Sequence, residues 1–173
     1  DLGGETGARK EPRRPYEVFL KDCGDLSRDV RDGVAEYAVP DEISKQLLEY
    51  QATAVKTLAR RIIQRRGTML GDVVGLGKTL TAIATALMLR DEHGYIPLVL
   101  CPKNLTGMWE EHLEAYDLHG RVVPYSMAHK ILPELRRYPF VIIDESHTLR
   151  SDTRRDYKAI RDYIDANDSK VLM

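Results

Sequence analysis

The sequence predicts an α/β fold in which a mainly parallel central sheet lies between two layers of helices. The runs Leu98–Cys101 and Phe140–Ile143 are apolar at every position, which is typical of strands that are buried on both faces. Segments with apolar residues at helical spacing alternate with these runs along the chain. Such alternation gives βαβ units, and repeated units build a three-layer sandwich.

Four longer segments have the apolar spacing of helices that bury one face. They are Val55–Ile63, Leu80–Met88, Leu105–Tyr116 and Tyr157–Ile164. We predict that Gly67 ends the first helix and that the second helix ends near Gly94. The shorter predicted elements are strands at Thr68–Leu70, Arg121–Val123 and Lys170–Met173, and a short helix at Ile131–Leu135.

The chain of 173 residues divides into a lead-in and one folded domain. Residues 1–46 begin with a stretch rich in Gly, Arg, Lys, Glu and Pro and have only scattered apolar positions, so we expect a partly flexible lead-in. Residues 47–173 contain the patterned segments and are long enough to bury one core. The chain starts without methionine and stops inside the apolar run Val171–Met173, and we therefore expect it to be a fragment.

Composition and charge exclude several classes of protein. The net charge of -1 provides no overall basic field, so contact with nucleic acid would require a local patch. No apolar run approaches the length of a membrane span, and we expect none. Cys23 and Cys101 lack the spacing of metal ligands. We favour free thiols in a reducing, cytoplasmic compartment over a disulfide.

A glycine-rich segment between a predicted strand and a predicted helix has the composition of a phosphate-binding loop. It consists of Asp72-Val73-Val74-Gly75-Leu76-Gly77-Lys78-Thr79. Glycines let backbone N–H groups turn toward phosphate oxygens, and the helix N-terminus adds a favourable dipole. We expect Lys78 to reach the β- and γ-phosphates of ATP, and Thr79 to bind Mg²⁺. Asp72 stands where the general pattern has its first glycine.

Two acidic residues follow the best-defined predicted strand. Asp144 and Glu145 come directly after Phe140–Ile143. The first acid can hold Mg²⁺, directly or through water, and the second can orient and deprotonate an attacking water. In a parallel sheet, the acids and the glycine-rich loop both lie at the carboxyl ends of strands. The sequence therefore predicts a site for ATP and Mg²⁺ in which Glu145, Lys78 and Asp144 are the catalytic residues.

The two motifs together resemble those of superfamily-two helicases and translocases, in particular the Snf-type, chromatin-remodeller-like branch. That branch has D-E-x-G-L-G-K-T as its first motif and D-E-x-H as its second, which correspond here to residues 72–79 and 144–147. Asp72 is therefore a feature of the family, whereas Val73 replaces the usual glutamate and favours a bacterial or phage member. The resemblance implies that residues 47–173 form the first, RecA-like lobe of a P-loop NTPase, truncated before motif III.

The resemblance also implies which residues bind the nucleotide. Leu47–Gln51 is similar to the family segment L-x-x-Y-Q, whose glutamine contacts adenine, and an amide has the donor and the acceptor that adenine requires. The residues implied in nucleotide binding are Gln51, Asp72, Gly75, Leu76, Gly77, Lys78, Thr79 and Thr81. His147 is implied in coupling the nucleotide state to motif III.

Two further segments resemble family motifs that lie along nucleic acid. Cys101–Leu105, followed by Trp109, is similar to motif Ia. This similarity implies that Lys103 and Asn104, the latter as a helix cap, contact the nucleic-acid backbone, and Ser126 falls in another such motif. Core packing is the alternative role for Trp109.

The resemblance implies an ATP-dependent translocase that acts on DNA, with RNA the less favoured substrate. The second RecA-like lobe would be its partner and would supply arginine fingers, so this chain alone is expected to bind ATP with Mg²⁺ and hydrolyse it poorly. One alternative is a P-loop switch module that acts on protein partners without nucleic acid. Another is a phosphotransferase kinase, which the pair Asp144-Glu145 disfavours because it suits activation of water.

Overall fold

The computed structural model describes residues 37–70, 77–150 and 154–173, with the side chain of Arg150 excepted. The helices are α1 (Asp41–Ser44), α2 (Glu49–Arg65), α3 (Lys78–His93), α4 (Thr106–Ala115), α5 (Ala128–Ile131) and α6 (Arg154–Asn167). The strands are β1 (Gly67–Thr68), β2 (Pro97–Cys101), β3 (Arg121–Pro124), β4 (Phe140–Ile143) and β5 (Lys170–Leu172). Four 3₁₀ helices span Lys103–Leu105, Tyr125–Met127, Leu132–Glu134 and Ser146–Arg150.

The five strands form one sheet in the order β1-β5-β4-β2-β3, and every neighbouring pair is parallel. β5 lies between β1 and β4, and Leu172 aligns with Thr68 on one side and with Ile142 on the other. On the far side of β4, Ile143 aligns with Leu100 of β2. The carboxyl ends of all five strands therefore meet at one edge, which we call the carboxyl edge.

Two apolar clusters, one on each face of the sheet, form the core. In β2 and β4 the residues alternate between them: Val99 and Ile142 join the first cluster, and Leu100 and Val141 join the second. Helices α2, α3 and α4 cover the first face, and α5 and α6 cover the second. The predicted three-layer α/β sandwich with a parallel sheet is confirmed, because strands buried on both faces need helices above and below.

The end of α2 differs from the prediction. The residue with left-handed backbone geometry after this helix is Arg66, with φ 65°, and not Gly67. Gly67 is instead the first residue of β1, where a Cβ would lie 3.2 Å from the carbonyl oxygen of Val171. A side chain at this position would be tight against Val171 because the two strands approach closely. Arg66 takes the turn, and its side chain pairs with Asp168 at 2.6 Å.

The buried face of α6 is also shifted from the prediction. Tyr157 is 55% exposed, whereas Ile160 and Tyr163 are buried. Asp156 is buried next to them, which no pattern of apolar residues predicts. Its carboxylate accepts hydrogen bonds from the backbone N–H of His129 at 3.2 Å and lies 2.6 Å from the His129 ring nitrogen Nδ1. A buried carboxylate needs such partners, and these bonds fasten α5 to α6.

The described end of the predicted lead-in packs against the domain. Ile43 of α1 is fully buried in the first core cluster. The Tyr37 hydroxyl lies 3.2 Å from Nε2 of His93, and Arg90 pairs with Glu42 at 2.7 Å. These contacts hold the chain before α2 against the end of α3. Within the described ranges, none of the helices has the length and apolar character needed to cross a membrane.

Candidate functional site

The carboxyl edge brings together the described parts of every segment that the sequence analysis selected. β1 leads toward Gly77 and the start of α3, and β4 leads directly into Asp144 and Glu145. β2 is followed by the 3₁₀ helix Lys103–Leu105, and β3 by the 3₁₀ helix Tyr125–Met127. Parallel strands are about 4.8 Å apart, so β1 and β4, separated by β5, are roughly 10 Å apart.

The glycine-rich loop is described only at its end. Asp72, Gly75 and Leu76 lie outside the described residues. Gly77 is the N-cap of α3 and has a left-handed backbone, with φ 80°. Lys78 is exposed and Thr79 is partly exposed in the first turn of this helix. The two side chains therefore lie at the positive end of a long helix, where an anion is stabilised.

Gly77 also has a steric reason to be glycine. A Cβ at this position would lie 2.9 Å from Nε2 of Gln51, and φ 80° is costly for any residue with a side chain. Gln51 lies in the first turn of α2, is nearly buried, and accepts a hydrogen bond from the backbone N–H of Leu48 at 2.9 Å. The predicted adenine-binding glutamine is thus held directly against the start of α3.

Thr81 is placed differently from its neighbours in the loop. Its side chain is buried within α3, and its backbone N–H donates to the carbonyl of Gly77 at 2.9 Å. Its own carbonyl accepts a hydrogen bond from the Thr85 hydroxyl at 2.8 Å. These contacts make Thr81 part of the helix that carries Lys78 and Thr79.

Asp144 is held at three points. Its backbone N–H donates to the carbonyl of Leu100 at 2.9 Å, and its own carbonyl accepts a short hydrogen bond from the Tyr125 hydroxyl. The indole Nε1–H of Trp109 donates to carboxylate oxygen Oδ2 at 2.8 Å. A carboxylate has about four acceptor positions on its two oxygens, so this bond leaves room for a metal contact. The side chain is half-buried and its orientation is fixed.

Glu145 is held mainly through its backbone. Its φ of 52° is left-handed, a conformation that costs about 1–2 kcal/mol for a non-glycine residue. Its carbonyl accepts bonds from the Thr148 backbone N–H at 2.9 Å and the Thr148 hydroxyl at 2.8 Å. The carboxylate is exposed and lies 3.1 Å from Nε2 of His147, itself exposed. The backbone of this turn is thus fixed by hydrogen bonds, whereas the carboxylate is exposed to solvent.

The predicted nucleic-acid residues Lys103, Asn104 and Ser126 are all exposed at the carboxyl edge. The prediction that Asn104 caps a helix is wrong: Leu105 is the N-cap of α4, and no side-chain cap bond is made there. Instead, the Thr106 hydroxyl donates to the Lys103 carbonyl at 2.9 Å. The 3₁₀ turn before α4 shifts its start by one residue, so Asn104 is free of a capping role.

Cys101 ends β2 beneath this site and is fully buried. Burial, reinforced by the nearby negative charges of Asp144 and Glu110, raises the pKa of its thiol to about 12. A thiol with this pKa stays protonated at neutral pH and is a poor nucleophile. Cys101 is therefore a core residue. Cys23 lies outside the described residues.

Sequence analysis did not find the bonds that hold Asp144. For Trp109 the sequence left two roles open, one in a nucleic-acid motif and one in core packing. The side chain is 1% exposed and also donates a hydrogen bond to Asp144 of the acidic pair. A buried indole usually finds an acceptor for its N–H, and this rule was the available signal. Tyr125 offered the same signal, since its buried hydroxyl bonds to the Asp144 carbonyl.

Comparison with known proteins finds a similarity to one protein family over part of the chain. The model of the SNF2-related domain matches residues 50–131. The chain is 25% identical over 160 residues to "Switch 2" of Arabidopsis thaliana, covering 70% of this chain and 18% of that protein. It is 26% identical over 200 residues to the human "DNA excision repair protein ERCC-6", covering 87% of this chain and 13% of that protein. The chain thus spans less than a fifth of either relative.

A solved structure has the same fold. The "Sulfolobus solfataricus SWI2/SNF2 ATPase core in complex with dsDNA" superposes with a TM-score of 0.60 at 22% identity, covering 72% of this chain and 30% of that chain. This likeness confirms the RecA-like α/β architecture that the sequence predicts. Over residues 50–131, which include α2, the start of α3 and the Trp109 segment, the chain is similar to the SNF2-related domain.

Proposed function

We propose that this chain is the first RecA-like lobe of an Snf2-type, DNA-dependent ATPase that moves along DNA. The observation that carries the proposal is the shared carboxyl edge. Lys78, at the start of α3, comes after β1 in the chain, the pair Asp144-Glu145 follows β4, and β5 alone separates these two strands in the sheet. Ligands of parallel α/β sheets bind at this edge. The similarity to the SNF2-related domain supports the same function.

For the nucleotide, we propose that residues 72–79 enclose the phosphates of ATP and that Lys78 neutralises the β- and γ-phosphates. Gly77, the left-handed N-cap of α3, would offer its backbone N–H to the phosphates, and the N-terminus of α3 would add its dipole. Gln51 lies beside Gly77 and would meet the adenine edge. Thr81 supports this turn from inside the helix.

For the metal, the donor set of the site suits Mg²⁺. Thr79 offers a hydroxyl in the first turn of α3, and Asp144 offers a carboxylate of fixed orientation with acceptor positions to spare. Bound together with ATP, the ion would neutralise charge on the phosphates. Magnesium commonly takes one or two protein ligands in addition to phosphate oxygens, which matches this sparse set.

For hydrolysis, we propose Glu145 as the residue that orients the attacking water and accepts its proton. The carboxylate is exposed at the carboxyl edge, so water can reach it. The contact with His147 restrains the carboxylate and gives His147 a place from which to sense the nucleotide state. Efficient turnover would require arginine fingers from a second lobe, and this chain alone would hydrolyse ATP slowly.

For nucleic acid, we propose that Lys103, Asn104 and Ser126 contact the DNA backbone. They are exposed after two neighbouring strands, β2 and β3, and therefore lie at the same edge of the sheet as the proposed nucleotide site. The name of the superposed structure includes dsDNA, and that of the human relative includes DNA excision repair, which favours DNA over RNA. A DNA-directed ATPase belongs inside the cell, and a bacterial or phage origin stays a prediction from Val73.

The decisive test is whether DNA accelerates ATP hydrolysis by the intact protein. We expect duplex DNA to raise the rate several-fold and Lys78→Ala to abolish tight ATP binding. Arg121→Ala, an exposed cation at the opposite end of β3, is the matched control and should leave ATP affinity unchanged. If neither DNA nor RNA raises the rate while ATP is bound, a switch that acts on protein partners replaces the translocase.

A further inference from the structure

The indole of Trp109 connects the segment proposed to contact DNA with the carboxylate proposed to bind magnesium. Its Nε1–H donates to Oδ2 of Asp144 at 2.8 Å, although the two residues lie on different elements. Trp109 is 1% exposed and Asp144 is half-buried, so the donor side of the bond is shielded from water. A hydrogen bond to an ionised acceptor contributes more than one between neutral groups, and exclusion of water adds to its strength.

The other end of this link is the segment proposed to contact DNA. Trp109 lies in the first turns of α4, which continues without a break from the 3₁₀ helix Lys103–Leu105. The Thr106 hydroxyl bonds to the carbonyl of Lys103 at 2.9 Å, and the Leu105 N–H bonds to the carbonyl of Pro102 at 3.0 Å. A shift of the exposed Lys103 loop would therefore move the start of α4 and the indole with it.

A second link runs through the 3₁₀ helix Tyr125–Met127, which follows β3. The Tyr125 hydroxyl donates to the backbone carbonyl of Asp144, and the next residue in the chain is the exposed Ser126. Asp144 is thus bonded to a neighbour of each proposed DNA-contacting segment. The Trp109 indole bonds to the Asp144 carboxylate, whereas the Tyr125 hydroxyl bonds to the Asp144 backbone. Of the two residues, only Trp109 can therefore change the orientation of the metal-binding carboxylate.

We propose that Trp109 is a positioning residue that couples the DNA-contacting loop to the magnesium-binding carboxylate of Asp144. The inference rests on the proposed function and adds a specific route within it. With the bond in place, one rotamer of the carboxylate is favoured, and the second oxygen, Oδ1, would be the one that meets a metal ion. When the bond lengthens, the carboxylate turns more freely and holds the ion less well. DNA bound at Lys103 and Asn104 fixes α4 and thereby strengthens metal binding.

The test measures magnesium affinity in the intact protein by calorimetry, with ADP at saturation and with duplex DNA present or absent. Trp109→Phe keeps an aromatic ring but removes the donor. We expect this variant to bind Mg²⁺ about tenfold more weakly, the usual size of an effect that acts through a neighbour of a ligand. We also expect DNA to raise magnesium affinity in the wild type and to have no effect on this variant.

Two matched variants separate the bond from the loss of packing. Leu113→Ala removes a buried side chain from the same helix and the same core cluster, so it should lower stability while leaving magnesium affinity unchanged. Asp144→Asn weakens metal binding directly. Adding Trp109→Phe to Asp144→Asn should cause little further loss, because residues that act through one another are not additive.

A measurement on the unsubstituted indole covers the case in which Trp109→Phe does not fold. Trp109 is the single tryptophan of this chain, and ¹⁵N-labelled tryptophan would give an indole signal that moves in Asp144→Asn. DNA should shift this signal in the wild type. An unmoved indole signal, or a wild-type magnesium affinity and DNA response in a folded Trp109→Phe variant, would overturn the coupling role.

The outcomes of the two proposals are distinguishable. If DNA stimulates hydrolysis and Lys78→Ala blocks ATP binding, but Trp109→Phe leaves magnesium affinity and its DNA response intact, only the coupling role fails. If DNA stimulates no hydrolysis, the proposed function itself fails.

Discussion

The two adjacent carboxylates at the end of β4 are held in opposite ways. Asp144 is half-buried and bonded through its N–H, its carbonyl and its carboxylate to Leu100, Tyr125 and Trp109. Glu145 has a left-handed backbone and an exposed carboxylate whose contact is the exposed ring of His147. The chain leaves β4 after Ile143, and of the two acids Glu145 has the left-handed backbone.

This difference matches the two tasks proposed for the pair. A metal ligand must stay in one orientation, and its position is fixed by neighbours with low mobility. A group that accepts a proton must instead meet a water molecule that enters and leaves, so it needs exposure and some freedom. The sequence shows two acids in a row, whereas the structure shows that they are not equivalent. The predictions below test that distinction.

The largest expected effect comes from Glu145→Gln in the intact protein. The amide keeps the size of the side chain but cannot accept the proton from water, so turnover should fall by about 10²–10⁴-fold. Binding of ATP and Mg²⁺ should be retained, because Asp144 and Lys78 are untouched. Single-turnover hydrolysis and nucleotide titration measure the two quantities.

The control for this experiment is Glu110→Gln, an exposed acid on α4. It should leave turnover within about twofold of the wild type, as most surface substitutions do. Equal turnover of Glu145→Gln and the wild type would show that Glu145 is not the general base. The proposed division of tasks between Asp144 and Glu145 would then be wrong.

The next effect concerns the rigidity of Asp144. Tyr125→Phe removes the hydroxyl that donates to the Asp144 carbonyl, and we expect a loss of about 1 kcal/mol in the free energy of unfolding. Urea denaturation measures the loss. Tyr157→Phe is the matched control, because that ring is exposed, and it should change stability little. Equal effects of the two substitutions would show that the buried hydroxyl does not stabilise the end of β4.

A third prediction isolates the strain at Glu145. Glu145→Gly should raise the free energy of unfolding by up to about 1 kcal/mol, because glycine adopts φ 52° without a steric cost. The same variant should lose turnover. Asp117→Gly is the matched control: this exposed residue also has φ 52°, so the stability should rise similarly while turnover stays unchanged. A destabilised Glu145→Gly would mean that the side chain, and not strain, dominates at this turn.

The smallest expected effect concerns Cys101, the buried last residue of β2. Its buried thiol, with a pKa of about 12, should resist alkylation by iodoacetamide at pH 8 and react once the protein is unfolded. Since the folded-state pKa lies above the ordinary value of 9.0, this thiol favours the folded state less and less as the pH rises above 9. Peptide mass spectrometry measures the labelling, and rapid modification of the native protein would contradict burial.

The sequence predicted most of the fold because apolar periodicity reports burial directly. α2, α3, β2 and β4 lie where the periodic segments are, and the parallel sheet follows from their alternation. The predictions from the sequence are wrong where a specific contact, and not the apolar pattern, decides the position of a residue. Gly67 does not end α2, because it is the first residue of β1 and lies close to β5. On α6 the buried position is taken by Asp156, which has His129 as its partner, whereas Tyr157 is exposed.

The candidate site could be predicted in its residue types but not in its contacts. The spacing of Lys78, Thr79, Asp144 and Glu145 predicts a nucleotide site, since phosphate and metal chemistry restrict which residues can serve. Nothing in the spacing indicates that Trp109 bonds to Asp144 or that Gln51 lies against Gly77. Such contacts depend on how helices pack on the sheet, and a single sequence does not contain that information in readable form.

The position of β5 has a consequence for the synthesis of this protein. β5 separates β1 from β4 in the sheet, although it follows both in the chain. On the ribosome, β2, β3 and β4 can pair as they emerge, but β1 has its described neighbour only when Lys170–Leu172 have been made. A nascent chain would thus hold β1 without its described strand neighbour until residues 170–172 have left the ribosome.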